Sequence, residues 1–310
     1  MIGWSHALVT GGAGFIGSHL SRRLLAQGRR VTVLDNLSVG RATAVPDGAR
    51  FVHGDIRDAR TVAEALRDVD CVFHLAAQVT IRGSFDRFYD DLDTNVMGTA
   101  CVLREAVAHQ VKWFTLASSM AVYADAPTPE PIDERHATQP ISPYGAGKLA
   151  AESVSRQILA AHGIPFTAVR YFNTFGPGQI YTPYVGVLTI FVTRLLRGEP
   201  ITIFGDGEQQ RDFIHVDDIV AGTIGATGGA AGSFNLGTGR GTSLNQLAQI
   251  VLSRLAPGQR AQHGPAQAGE LRFSVANIDA ARHAFGFNPT RSVRDNLDDV
   301  IESIQRTAPA

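Results

Sequence analysis

Two cysteines in 310 residues, no long apolar run and no surplus of either charge set the limits within which this sequence is read. Cys71 sits in an apolar, strand-like stretch and Cys101 in a helix-like one, so a disulfide framework or a cysteine metal site has no basis, and no metal is expected. The same scarcity suits a reducing cytoplasm. Lys plus Arg number 28 against 29 Asp plus Glu, which leaves no basic field to hold nucleic acid or an anionic membrane surface. No apolar stretch reaches the roughly 18 residues of a membrane span. Met1 leads almost directly into the apolar run at His6, without the basic, apolar and cleavage regions of a secretory leader. The expectation is a soluble cytoplasmic protein whose partner is a small molecule, with neither nucleic acid nor membrane involved.

What is present is 44% hydrophobic residues, enough for one large or two modest globular domains. The first half alternates short β-branched runs with amphipathic helical segments, the pattern of parallel βαβ units. Strands are predicted at 7–10, 30–35, 50–55, 70–77, 111–118 and 164–172. Between them, Ile16, Leu20 and Leu24 recur at helical spacing, as do Val62 and Leu66. The fold class expected is α/β, a doubly wound (Rossmann) parallel sheet over 1–172. After Asn173 the texture turns to Gly- and Pro-rich loops, such as Gly176-Pro177-Gly178 and Gly205-Asp206-Gly207, with helices between them. A smaller α/β region is expected over 173–310, with a segment near 212–239 returning to the first.

The run Thr10-Gly11-Gly12-Ala13-Gly14-Phe15-Ile16-Gly17 follows a strand and opens a helix. Gly11 allows the tight turn, Gly14 the close approach of a pyrophosphate and Gly17 the packing of helix on strand, and the helix N-terminus faces the anion. Asp35 ends the second strand, where a carboxylate accepts hydrogen bonds from the adenosine ribose and repels a 2′-phosphate, which favours NAD over NADP. Asp55 follows the third strand, placed to meet the adenine amino group, while Asp58 reads as a helix N-cap.

Tyr144 and Lys148 stand four apart at the start of a helix predicted to run to about Ala161, so both project from one face. A cation there is expected to lower the phenol below its usual pKa of about 10 and favour a phenolate base. Ser118 and Ser119 end the fifth strand, at the carboxyl edge where ligands of open α/β sheets bind.

These stretches, together with His74-Leu75-Ala76-Ala77-Gln78, Asn95-Val96-Met97-Gly98-Thr99, Ser118 to Tyr123, Arg170-Tyr171-Phe172-Asn173, Gly205 to Asp218 and Asn235-Leu236-Gly237-Thr238-Gly239, resemble the extended short-chain dehydrogenase/reductase family. The likeness covers essentially the whole chain and is strongest to the branch of UDP-sugar epimerases and dehydratases. It implies an NAD-dependent enzyme with Ser119, Tyr144 and Lys148 as the catalytic trio. It also implies a cofactor site that takes in Phe15, Ile16, Asn36, Ile56, Leu75, Ala76, Ala77, Gln78, Asn95 and Tyr171 besides the glycines, Asp35, Asp55, Tyr144 and Lys148. Ser119, Met120, Asn173 and Arg211 would hold the sugar nucleotide, Arg211 on its diphosphate.

The family's reactions share oxidation of the sugar at C4. A 4-epimerase then returns hydride to the opposite face, whereas the familiar 4,6-dehydratases use an Asp and a Glu beside the strand-end hydroxyl. Met120 and Ala121 occupy those positions, and neither side chain exchanges a proton. The leading expectation is therefore a UDP-glucose or UDP-N-acetylglucosamine 4-epimerase, with a dehydratase on the same substrates and a non-catalytic NAD-binding regulator as alternatives. Ser274 aligns with a gatekeeper position at which a bulky Tyr excludes an N-acetyl group, so its small side chain points to N-acetylhexosamines. Gln267 stands where a second diphosphate-binding Arg is usual and Asn277 where Asp is usual, so either diphosphate affinity is lower or Arg272 substitutes. The resemblance further implies a homodimer built on helices near 91–109 and 144–161.

Overall fold

The computed structural model describes residues 3–81, 83–126, 128–182, 186–266 and 271–307. Its strands are β1 (His6–Thr10), β2 (Arg30–Asp35), β3 (Arg50–His53), β4 (Cys71–His74), β5 (Trp113–Ser119), β6 (Phe166–Tyr171), β7 (Asn173–Phe175), β8 (Thr202–Phe204), β9 (Gln210–His215), β10 (Gly232–Leu236), β11 (Gly241–Ser243), β12 (Gln262–Gly264) and β13 (Phe273–Ser274). The helices are α1 (Phe15–Ala26), α2 (Ala59–Ala65), α3 (Gly83–Asp86), α4 (Phe88–Leu92), α5 (Thr99–Ala108), α6 (Pro143–Ala161), α7 (Val187–Leu196), α8 (Val216–Ala226), α9 (Leu244–Leu255), α10 (Asp279–Phe285) and α11 (Leu297–Thr307).

Seven strands form one parallel sheet in the order β10-β6-β5-β4-β1-β2-β3. Successive strands run one way from β1 to β3 and the other way from β4 to β6. The order reverses between β1 and β4, and a ligand crevice opens at the carboxyl ends of two such strands. Side chains alternate between the faces as the period of a strand requires. Leu8, Leu34 and Val72 pack with Val62, Val102, Leu103 and Leu159 on one face, while Val9, Val33 and Phe73 pack with Leu20, Leu24 and Val220 on the other. Each such side chain contributes about 1.5–3 kcal/mol by leaving water.

The predicted strand at 70–77 is shorter, ending at His74, because the chain then leaves the sheet to back the glycine turn: a Cβ on Gly11 would lie 2.8 Å from the Ala76 nitrogen. Of the segment near 212–239, α8 and β10 lie on the large sheet, whereas β9 anchors a separate four-stranded sheet with β7, β11 and β13. The buried Asp212 carboxylate clasps that small sheet by accepting hydrogen bonds from the Thr238, Gly239 and Ala276 amides and the Thr238 hydroxyl. The helix expected near 91–109 is α4 and α5 joined by a π-helical turn, Asp93–Gly98.

A buried ion pair fixes α6 to the sheet. Arg170 on β6 donates to both carboxylate oxygens of Glu152, at 3.0 and 2.7 Å, and to the Tyr123 hydroxyl, which itself donates to Asn235 on β10. Removing one partner strands the other charge without water. Arg170→Met is expected to lower unfolding free energy by about 3–5 kcal/mol, and adding Glu152→Leu is expected to recover most of that loss. Denaturant titration checks both, and additive losses in the double variant would contradict this account.

Candidate active site

Helix α1 begins without a side-chain cap: Gly14 is its N-cap residue, and its own amide reaches back to the Gly11 carbonyl at 3.1 Å. The first-turn amides are thus left for an anion. Gly17 is obligatory for packing, since a Cβ there would sit 2.2 Å from the Gly11 oxygen. Phe15 and Ile16 open the helix half-buried.

Asp35 stands at the end of β2, where one carboxylate oxygen accepts the Ala13 amide at 3.0 Å and the other the Leu37 amide at 2.8 Å. The carboxylate is thereby fixed beside the glycine turn. Asn36 donates to Asp55 at 3.0 Å, and Arg57 binds both oxygens of Asp55 while also reaching Asp93 in the π-helical turn. The Arg57 guanidinium holds the Asp55 carboxyl well below the usual carboxylate range. Asp55 is thus embedded in an ionic network, a partnership its position after β3 did not reveal. Ile56 is buried where a Cβ on Gly98 would strike it. Asp58 caps α2 by accepting the Arg60 amide.

Across the crevice, Leu75, Ala76, Ala77 and Gln78 follow β4. The Thr10 hydroxyl accepts the Leu75 and Ala76 amides, and His74 bridges Thr10 and Thr99. Burial pushes His74 down to about 3, so it stays neutral and serves as a brace. Asn95 locks Gln78 from both sides, accepting its amide at 2.8 Å and donating to its carbonyl at 3.0 Å.

The catalytic candidates converge beside this crevice. Ser142 caps α6 by accepting the Gly145 amide, with Pro143 in the first turn, and the Tyr144 amide donates to Ser84. Tyr144 is 8% exposed and Lys148 4%. The Ser119 hydroxyl accepts the Ala121 amide at 3.2 Å and acts to lower the pKa of the Tyr144 phenol, and Lys148 Nζ donates to the Ala117 carbonyl at 3.0 Å. Met120 and Ala121 lie buried in the same apolar cluster as Tyr144 and Phe172.

The expectation of an acidified phenol is not met. Burial pushes Tyr144 up to about 12, against the lowering influence of the Ser119 hydroxyl and aided by the negative charge of Asp91. Burial likewise lowers Lys148 to about 8. The two residues share a helix face, but the lysine nitrogen turns to Ala117, and burial disfavours both charged forms.

The small sheet brings the remaining candidates together. Asn173 on β7 has a buried amide nitrogen with no partner among the described residues. Arg211 lies half-buried on β9, facing Thr242 of β11 and Ser274 of β13 in register, and donates to the Gln210 carbonyl at 2.8 Å. Ser274 is fully buried and its hydroxyl finds no partner among the described residues. Arg272 is bound by Asp206 through two hydrogen bonds, 2.7 and 2.9 Å, so it already serves a carboxylate on the loop after β8. Gln267 lies outside the described residues. Asn277 accepts the Asp279 amide, as an Asp would. Tyr171, expected at the cofactor, turns its hydroxyl to Thr223 of α8 at 2.8 Å, and burial raises its pKa. Asp91, a buried carboxylate beside α6, was not singled out from the sequence, although its four-residue spacing from Asn95 was a readable signal.

Residues 7–237 match the model of the NAD dependent epimerase/dehydratase family. The chain belongs to that family. It is therefore an NAD-dependent enzyme, and the uncapped α1 terminus, the glycine packing and the fixed Asp35 fit such a cofactor. A UDP-glucose 4-epimerase of Mycolicibacterium smegmatis is 35% identical, over 95% of this chain and 97% of its own. Among solved structures, UDP-glucose 4-epimerase of Thermotoga maritima with UDP-glucose is 34% identical at a TM-score of 0.93, covering 97% of this chain and 99% of that one. The UDP-N-acetylglucosamine 4-epimerase of Methanobrevibacter ruminantium, in complex with UDP-N-acetylmuramic acid, is 30% identical at a TM-score of 0.93, covering 99% and 100%. Among the described residues, no helix is long and apolar enough to cross a membrane.

Proposed function

We propose that this chain is a UDP-sugar 4-epimerase that accepts UDP-N-acetylhexosamines as well as UDP-hexoses. The reading is supported by Ser119 at the end of β5, by Tyr144 and Lys148 buried on one face of α6 with Lys148 bonded to the Ala117 carbonyl of that strand, and by Met120 and Ala121, whose side chains cannot exchange a proton. NAD, when bound, would supply the hydride acceptor and donor for C4 of the sugar. Tyr144, as phenolate, takes the proton of the C4 hydroxyl, and Ser119 hydrogen-bonds the same sugar oxygen. The Lys148 ammonium would stabilise the phenolate and help hold the cofactor. Asn173 and Arg211 bind the sugar nucleotide. Once the ketose turns over, Tyr144 returns the proton to the new C4 hydroxyl, so no second acid or base is required. The named substrates of the Thermotoga and Methanobrevibacter relatives support the two sugar classes, and the small side chain of Ser274 supports the larger one.

Incubation of the protein with UDP-N-acetylglucosamine, followed by proton NMR, is expected to show the anomeric signal of the galacto epimer. Vinylic or methyl resonances would reject the reading in favour of elimination. Ser274→Tyr is expected to reduce turnover of the N-acetylated substrate about 10-fold or more relative to UDP-glucose, and equal losses on both would remove Ser274 from the specificity account.

The face formed by α3, α4 and the π-helical turn exposes Phe85, Phe88, Tyr89, Leu92 and Met97, an apolar concentration unusual for solvent. A second copy covering it, with α6 nearby, makes the homodimer. Light scattering is expected to give twice the chain mass, falling to one chain in Phe88→Asp/Tyr89→Asp; a wild-type monomer would refute it.

A further inference from the structure

We propose that Asp91 is a positioning residue of this site, a buried counter-charge that keeps the Lys148 ammonium protonated while holding Asn95 in place. The inference rests on the catalytic reading of Lys148 given above.

Asp91 lies in the last turn of α4, one residue before its end, and is 3% exposed. One carboxylate oxygen accepts the Asn95 amide at 3.0 Å, one helical turn on, and the other is buried with no hydrogen-bond partner among the described residues. A carboxylate so poorly hydrogen-bonded is costly to bury unless a positive charge compensates it. Its neighbour on α6 is bare backbone. A Cβ added to Gly147 would stand 3.4 Å from the Asp91 oxygen and 3.6 Å from the Asn95 Cβ, which places the carboxylate one residue before Lys148.

The other groups around Lys148 do not supply a matching negative charge. Ala117 offers a carbonyl from β5. Glu152, one turn along α6, opposes the fall of Lys148 less than Asp91 does, its charge being already matched by the Arg170 fork. His74, from β4, is kept neutral by burial and by the nearby Lys148 charge, while its ring nitrogens bond Thr10 and Thr99. Tyr144 shares the helix face and becomes negative only during the reaction. Burial lowers Lys148, and Asp91 is foremost among the groups opposing that fall. In return Lys148 restrains the rise that burial imposes on the Asp91 carboxyl, as does Asn95.

Asp91 acts on the two partners in opposite senses. Its negative charge favours the ammonium and disfavours the phenolate, so its removal lets Lys148 lose its proton at lower pH even as the phenol ionises more easily. The carboxylate also fixes the Asn95 amide, whose remaining bonds hold Gln78 at the crevice. The π-helical turn that starts two residues after Asp91 brings Asn95 and Asp91 to the same wall, a local distortion often found at functional sites.

The chain contains only two lysines, Lys112 and Lys148, so Lys148 can be read directly. Lysine labelled with carbon-13 at Cε gives two signals in the NAD-loaded protein, assigned with Lys112→Arg. In Asp91→Asn the Lys148 signal is expected to titrate about one pH unit or more below its wild-type midpoint. The alkaline limb of kcat/KM for C4 epimerisation is expected to move down with it. Asp91→Ser is read in the same way, so a folding failure of one variant does not decide the matter. A charge-free variant that melts lower yet keeps the wild-type Lys148 midpoint would reduce Asp91 to packing and overturn the proposal. Absence of turnover in the wild type would instead defeat the epimerase reading, and the lysine titration would still stand.

Discussion

A phenol and an ammonium group, both stripped of water and sharing one face of α6, constrain the rest of the structure. Charging either group in that setting costs several kcal/mol unless dipoles or opposite charges are fixed around it. The Ala117 carbonyl, the Ser119 hydroxyl and the Asp91 carboxylate are held by rigid elements for this purpose, at the end of β5 and on α4. Helix α6 is in turn immobilised by its Ser142 cap and by the Glu152–Arg170 pair. The same exclusion of water that makes the phenol hard to ionise by itself makes it responsive to a positive ring brought alongside.

The architecture delivers two half-sites to that couple. The reversal of strand order between β1 and β4 sets the glycine turn and the uncapped α1 terminus at the carboxyl edge of the sheet, an arrangement that suits a pyrophosphate. On the other side β7, β9 and β13 run in register, placing Asn173, Arg211 and Ser274 on neighbouring strands, with Asp212 clasping the loop that joins β10 to β11. Many of the motif residues that carry the family resemblance prove to be braces. His74, Arg170, Asp212 and Asn235 spend their polar atoms inside the protein, which fixes the backbone from which the chemistry is hung.

Strands β1 to β6 were legible because they are β-branched runs bounded by turn residues, and the glycine motif was legible because its spacing answers a steric requirement. Strand β10 was harder to read: Gly232-Ser233-Phe234-Asn235-Leu236 has little strand propensity and gains its place by pairing with β6. The small sheet is built from strands of two to six residues, too short for most of them to show a period. The residues of the catalytic trio were readable, but the direction of the phenol shift was not, because it depends on burial and on the rotamer that takes Lys148 to Ala117. Tyr171 and Arg272 show the same limit. Each has the right chemistry for a ligand, and each meets a partner inside the fold, Thr223 and Asp206, that no local pattern announces.

The role of the buried phenol is tested most directly by Tyr144→Phe in NAD-loaded protein, with conversion of UDP-N-acetylglucosamine or UDP-glucose followed by proton NMR. Turnover is expected to fall about 100-fold to 10,000-fold while NAD stays bound and the melting temperature holds. A variant that retains the cofactor and turns over within a few-fold of the wild type would contradict the account.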